Sequence, residues 1–188
     1  MSMERLWIDF LNSDWHDWRG SGKSADRLDQ PDYVLAFARD QGYGQLAYPL
    51  PEELADLKSL RELLRRQALR MADGKKPEEG IMKELNQVLE KAAYTRKLEE
   101  NGEGGWQVVS VPVQSGWKHI KADIAASFAE TIRNGEESRI RICTNPDCLW
   151  VFTDFTRSRT KRYCDDKCCG NLMKVRRFRA RRKEESES

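Results

Sequence analysis

Two short cysteine pairs constrain this chain more than any other feature. All five cysteines lie between Cys143 and Cys169, and none precedes them. The pairs read Cys143-Thr-Asn-Pro-Asp-Cys148 and Cys164-Asp-Asp-Lys-Cys168-Cys169, with fifteen residues between them. Four thiolates closing tetrahedrally on zinc need two such pairs brought together by folding. Disulfides fit less well, because an odd number of sulfurs would strand one. The opening Met1-Ser-Met-Glu-Arg5 also lacks the basic region and apolar stretch of a secretion signal, which points to a reducing, cytoplasmic setting. An iron–sulfur cluster or a redox switch is the competing use of the same sulfurs. Spacing alone lets either Cys168 or Cys169 complete the set with Cys143, Cys148 and Cys164.

The charge distribution then divides the 188 residues. The chain as a whole carries only +2, but from Arg139 to Lys183 fourteen Lys and Arg face four Asp, a local net charge of +10. Residues 1–138 hold nineteen basic and twenty-four acidic groups. A module of about 45 residues buries too little to hold itself together, so the metal would supply its stability. No stretch approaches the roughly 20 apolar residues of a membrane span, and no internal repeat is visible. The Ser/Glu-rich end from about Glu184 has a disordered composition. The expected division is 1–138, a helical domain; 139–183, a metal module; and 184–188, a disordered tail.

In the N-terminal part, Leu6, Trp7, Phe10 and Leu11 have helical spacing before Asn12-Ser13-Asp14 breaks the pattern. A helix over 32–40 follows Pro31 and stops at Gly42 and Gly44. A stronger one begins after Pro51, with Leu54, Leu57, Leu60, Leu64 and Ala68 on one face and Asp73-Gly74 closing it. The periodicity predicts another helix from about Pro77 to Glu99. Asn101-Gly-Glu-Gly-Gly105 reads as a turn, and Trp106 to Val113 as a strand at a hairpin edge, given Pro112. Trp117, Ile120, Ile124, Phe128 and Ile132 line a last helix ending at Asn134-Gly135. Only about five residues tether it to the metal module, so the two parts should move as one body or about a tight hinge.

Catalysis is poorly supported. His16 and His119 are the only histidines, no nucleophile motif accompanies them, and no phosphate-binding glycine loop occurs. The expectation is that the protein is not an enzyme and that His119 is structural. The polar and aromatic run around Asn12, Asp14, Trp15 and His16 could line a ligand pocket, although a capping turn with core tryptophans accounts for it as well.

In the basic module, Asn145-Pro146-Asp147 is turn chemistry between two ligands, Leu149 to Phe152 is strand-like, and Asp165 or Asp166 can cap a final helix. Leu172, Val175 and Phe178 make a sloping apolar stripe expected to pack on the zinc core. Arg179 and Arg182 share its sector, so the last turns would face a polyanion or water.

These residues resemble a known family. Cys143-x4-Cys148-x3-Phe152-x-Asp154, then Arg162-Tyr163-Cys164-x4-Cys169-Gly170-Asn171, Lys174 and the Arg-rich end look like the CGNR zinc finger. The apolar opening with Asp9-Phe10-Leu11-Asn12 and the domain order are similar to the ABATE domain that precedes such fingers. The resemblance spans nearly the whole chain and implies a stress-induced transcriptional regulator, with Cys169 as fourth ligand and Cys168 a bystander. The arginine that ends the family motif is Leu172 here. The fold class expected is mainly α, a helical N-terminal domain with a β-hairpin followed by a small C-terminal α+β zinc finger.

The leading functional expectation is a DNA-binding transcriptional regulator with Zn(2+) as cofactor. Its phosphate contacts would come from Arg157, Arg159, Lys161, Arg162, Lys174, Arg176, Arg177, Arg179, Arg181 and Arg182, and Asn171 and Arg176 are the better base readers. RNA is the alternative, with Trp150, Phe155 and Tyr163 available for stacking. A protein-interaction module with a purely structural finger is a third reading. A nuclease is disfavoured, because four thiolates leave no coordination position for water. A small-molecule effector and a homodimer are further possible partners of the N-terminal domain.

Overall fold

The structure, a computed structural model, describes residues 5–113 and 116–187. Six helices and three two-stranded antiparallel hairpins make up those residues, with three of the helices in succession between the first and second hairpins.

The first helix, α1 (Leu6–Leu11), is short, and its Leu6, Trp7, Ile8, Phe10 and Leu11 are all buried. Trp7 is its anchor: the indole Nε1 donates to Thr131 Oγ1 (2.9 Å), and the ring meets Phe128 edge-on at 5.1 Å. Six residues form too few hydrogen bonds to be helical alone, so packing is what holds this turn. Strands β1 (Asp14–His16) and β2 (Ser24–Asp26) then make a small hairpin, and α2 (Pro31–Asp40) starts on the expected proline.

The longest buried helix is α3 (Pro51–Ala72), where Glu53 accepts from the Leu50 amide (2.9 Å) and restrains the first turn. Its apolar face carries Leu57, Leu60, Leu64 and Ala68 into the core, as the spacing predicts. The face also buries Arg61. That guanidinium donates twice to Asp26 (2.7 and 2.6 Å) and once to Ser13 Oγ (2.9 Å), tying α3 to the β1–β2 hairpin.

The helix expected from Pro77 to Glu99 is the main correction to the sequence reading. α4 (Ile81–Leu89) covers only its middle, and residues 94–100 are instead a strand, β3 (Tyr94–Glu100), paired with β4 (Trp106–Pro112). Inward residues end at Leu89 and Ala92 and residues 93–98 are exposed, so a longer helix would have had no core to pack on, whereas the strand gains a complete partner. The turn between them needs left-handed backbone at Gly102 (φ 74°) and Gly104 (φ 79°), and Asn101 Oδ1 accepts from the amides of Glu103 and Gly105.

Helix α5 (Trp117–Arg133) crosses the core with Ile120, Ile124 and Phe128 fully buried. Asp123 holds two tyrosines, Tyr43 and Tyr94 (2.5 Å to the latter), and burial together with that carboxylate raises both phenols above their usual range. Buried His119 contacts the Ala93 carbonyl (3.2 Å).

Strands β5 (Ile140–Ile142) and β6 (Val151–Thr153) form the third hairpin, in register Ile140↔Thr153. Ile140 and Val151 belong to the same apolar core as α1, α3 and α5. Asn12, buried, clamps the junction: its Nδ2 donates to the Val151 carbonyl and its Oδ1 accepts from the Val151 amide, both at 3.0 Å. The five-residue tether is therefore no hinge, since the hairpin beyond it is seated in the helical core. The chain ends in α6 (Asn171–Glu187). The tail expected to lack structure from Glu184 continues this helix to Glu187, because nothing in the sequence stops a helix there. No helix of the described residues is long and apolar enough to cross a membrane.

Candidate metal centre and basic surface

The first cysteine pair sits on a turn closed by backbone bonds. Cys143 N donates to the Trp150 carbonyl (2.8 Å) and Cys148 N to that of Asn145 (3.0 Å), and Leu149 takes a left-handed φ of 57° where the chain turns back into β6. Thr144 N reaches the Arg162 carbonyl (2.9 Å), which brings the second limb alongside. There Asp165 caps the next turn by accepting from Cys168 N (2.6 Å), and a wide turn over Asp166–Gly170 leads into α6. This turn rotates Cys168 outward and Cys169 inward: Cys169 is 1% exposed, whereas Cys168 is on the surface.

Cys143, Cys148, Cys164 and Cys169 thus present their Sγ atoms within 4.8 Å of one another. Cys164 Sγ lies 3.7 Å from Cys148 Sγ and 3.9 Å from Cys169 Sγ. Sulfurs about 2.3 Å from a tetrahedral zinc would stand roughly 3.8 Å apart, so the donor set fits such an ion. The clustered thiols also perturb one another. Hydrogen bonds from Cys148 and Cys164 hold the Cys143 thiol far below its usual range, while Cys143 pushes Cys148 up to about 12 and Cys143 and Cys148 together raise Cys164 further. A divalent ion bound by these sulfurs would favour their thiolate forms and displace the protons.

Around the sulfurs, Trp18, Phe152 and Tyr163 supply the apolar cover. Asn145 is entirely buried, and its Nδ2 donates to both the Trp18 carbonyl (2.8 Å) and Cys169 Sγ (3.4 Å). An amide aimed at a ligand sulfur stabilises its anionic form. In the sequence Asn145 reads as a turn residue only, because its partner lies 127 positions away, beyond any local pattern.

Buried Asp154 organises the basic loop that follows. One carboxylate oxygen accepts from the Thr156 amide (2.9 Å) and hydroxyl (2.6 Å), the other from Lys161 N (2.8 Å). Burial alone would raise this carboxyl, but those donors hold it below its usual range. Arg157 and Arg162 project from the loop into solvent, and Arg159 rests its guanidinium on Ser138 Oγ (3.0 Å). Lys161 is half-buried, 3.7 Å from Asp166.

Helix α6 carries seven Lys and Arg and no carboxylate from Asn171 to Lys183. Lys174, Arg177, Arg179, Arg181 and Arg182 are exposed, as is Asn171, and none of these cations has a carboxylate at ion-pair distance among the described residues. Two expectations are corrected here. The Leu172, Val175, Phe178 stripe does not pack on the metal core: Val175 is 40% and Phe178 54% exposed, and every residue from Arg177 to Ser186 faces solvent. The helix leaves the body rather than lying across it, since its sector is interrupted by arginines. Arg176 is not a free reader either, because it is bound to Asp147 Oδ2 (2.6 Å) and the Arg19 carbonyl (3.0 Å), fixing the root of α6.

The four residues suggested for a ligand pocket separate. Asn12 is the core clamp and also edges a surface depression of about 330 Å³ with Asp9, Arg27, Tyr33 and Trp150. Asp14 and His16 pair with each other at 3.3 Å, and Trp15 lies under Arg27. None of these three lines that depression.

Comparison with known families matches two models in the expected order. The ABATE model, described as "Putative stress-induced transcription regulator", covers residues 4–135, and the CGNR zinc finger model covers 139–182. No curated protein matches the chain.

Proposed function

The chain belongs to the ABATE family and ends in a CGNR zinc finger, and from that premise we propose that it is a DNA-binding transcriptional regulator whose finger is built on Zn(2+). Cys143, Cys148, Cys164 and Cys169 would hold the ion, which would supply structural closure, since four thiolates would fill its tetrahedral positions. The carrying observation is the joining of this centre to α6. The wide turn that delivers Cys169 opens directly into a helix on which Lys174, Arg177, Arg179, Arg181 and Arg182 are exposed with no carboxylate at ion-pair distance among the described residues, the charge distribution that phosphates would satisfy.

A 17-residue helix spans about 25 Å, enough to follow a groove or several phosphates. Arg157 and Arg162, on the Asp154-organised loop, would add contacts to one side. With about six phosphates engaged, the logarithm of the binding constant should fall against the logarithm of salt with a slope of about −5. Titrating duplex DNA at several salt concentrations measures this directly, and a salt-insensitive affinity would overturn the proposal.

One observation favours single strands as a second reading. Phe155 is 55% and Trp150 36% exposed, and both line a depression shared with Arg5 and Lys161, where bases could stack. Competition between duplex DNA, single strands and RNA of equal length decides between them.

A further inference from the structure

The β3–β4 ribbon has no third strand on either side among the described residues, and it exposes an apolar face. Leu98 pairs with Val108, and Glu100 with Trp106, in register; Leu98 is 60%, Val108 65% and Trp106 67% exposed. A two-stranded ribbon is marginal in water by itself, and an unpaired edge is a template for another strand.

The hydrogen bonds at the ribbon's ends show which backbone groups are unused. Asn101 N donates to the Gly105 carbonyl and Val113 N to the Ala93 carbonyl, both at 3.0 Å, so positions 93 and 101 turn their polar groups toward β4. With a period of two, Thr95, Lys97 and Glu99 do the same. Tyr94, Arg96, Leu98 and Glu100 then offer N–H and C=O to the open edge.

Along that edge the chain reads Arg96-Lys97-Leu98-Glu99-Glu100, in which the charges reverse about Leu98. We propose that β3 is the surface through which two copies of this chain associate, edge to edge and antiparallel about a two-fold axis at Leu98. Leu98 then exchanges both backbone hydrogen bonds with Leu98 of the second copy. Arg96 comes opposite Glu100 and Lys97 opposite Glu99 of that copy, each pair occurring twice by symmetry.

Neighbouring registers fail. A one-residue slip sets an outward-turned residue against an inward-turned one. A two-residue slip puts Lys97 opposite Lys97, or Glu99 opposite Glu99. In the proposed register, the sheet becomes four-stranded in the order β4-β3-β3-β4. One face carries a row of Val108, Leu98, Leu98 and Val108, so the exposed apolar residues of two copies join. Within a single copy, Lys97 and Glu99 pair with each other along the strand (3.5 Å).

Sedimentation equilibrium of the full, metal-loaded chain tests this. The expected result is a dimer that weakens with salt, because its charge pairs are exposed. Arg96→Glu with Lys97→Glu makes the strand uniformly acidic, and Glu99→Lys with Glu100→Lys makes it uniformly basic. Each double variant, checked for native circular dichroism, should sediment as a monomer, and an equimolar mixture should form a one-to-one heterodimer. Leu98→Cys in a Cys168→Ser background adds a measurement that does not depend on dissociation. Opposed hydrogen-bonded residues stand about 5.5 Å apart at Cα, within disulfide reach, so mild oxidation should cross-link the copies. A monomeric wild-type chain, dimers indifferent to both charge reversals, or a mixture that stays monomeric would overturn the proposal.

Discussion

Asn145 is a residue whose single side chain serves the metal centre and the helical body together. Its amide nitrogen bridges the Trp18 carbonyl and Cys169 Sγ, with no water-accessible surface. Asn145→Ala should leave the carbonyl and the sulfur without their donor, lowering metal affinity about 10- to 100-fold in a chelator competition. Asp26 gives a second expectation at this scale. Burial alone would raise its carboxyl, but Arg61, the Leu28 amide and Lys58 bring it down to about 2. A depressed carboxylate contributes stability above its unfolded value of about 3.9, and that contribution disappears as pH falls through 4 toward 2. Asp26→Asn should therefore cost on the order of 1–2 kcal/mol at neutral pH, after allowance for screening, with the gap to wild type closing below pH 4 in denaturant titrations. The four-cysteine cluster was largely legible in the chain: two close pairs announce four sulfurs brought together. The choice between Cys168 and Cys169 rested on family pattern, because the Asp165-capped turn that rotates one sulfur inward has no spacing signature.

The elements show where local pattern succeeds and where it fails. Helices α2, α3 and α5 follow their apolar periodicity, since each has a core to face. The over-long helix through residue 99 failed because strand identity there comes from pairing with β4, a non-local fact. The α6 stripe failed for the opposite reason: an apolar sector is legible, but whether anything lies opposite it is not. What fixes α6 is its root. Gly20 (φ +89°) packs against that root, and a Cβ added there would come within 2.4 Å of an Arg176 guanidinium nitrogen and 3.0 Å of Asp147 Oδ2. Gly20→Ala should displace the Arg176–Asp147 pair and loosen the helix start, seen as faster amide exchange over 166–176 with little change over α3. Unchanged exchange would mean that the turn from Cys169 suffices to hold the helix. Because the pair is about one-third exposed, its effect on global stability should stay below about 1 kcal/mol.

For the whole molecule, the finger and the helical body share one interior. Ile140 and Val151 lie in the main core, Asn12 bonds Val151 on both sides, and Trp18 covers the sulfurs. Removing the metal should therefore lower the stability of the entire chain, and calorimetry with a chelator should show a single transition moved to lower temperature. Two separate transitions, with the upper one unmoved, would show that the body is indifferent to the finger. The shift near residue 138 from acidic to strongly basic was legible in the chain. The shared interior was not, because Asn12 and Val151 find each other across 139 positions. A consequence follows for anyone wishing to transplant this finger onto another protein. Cut at Arg139, it would carry away two greasy pegs with no socket, Ile140 and Val151, and would lose the Trp18 lid over its sulfurs. A soluble graft would need polar replacements at the pegs and a substitute for the lid, so the part that looks most portable in sequence is among the least separable in space.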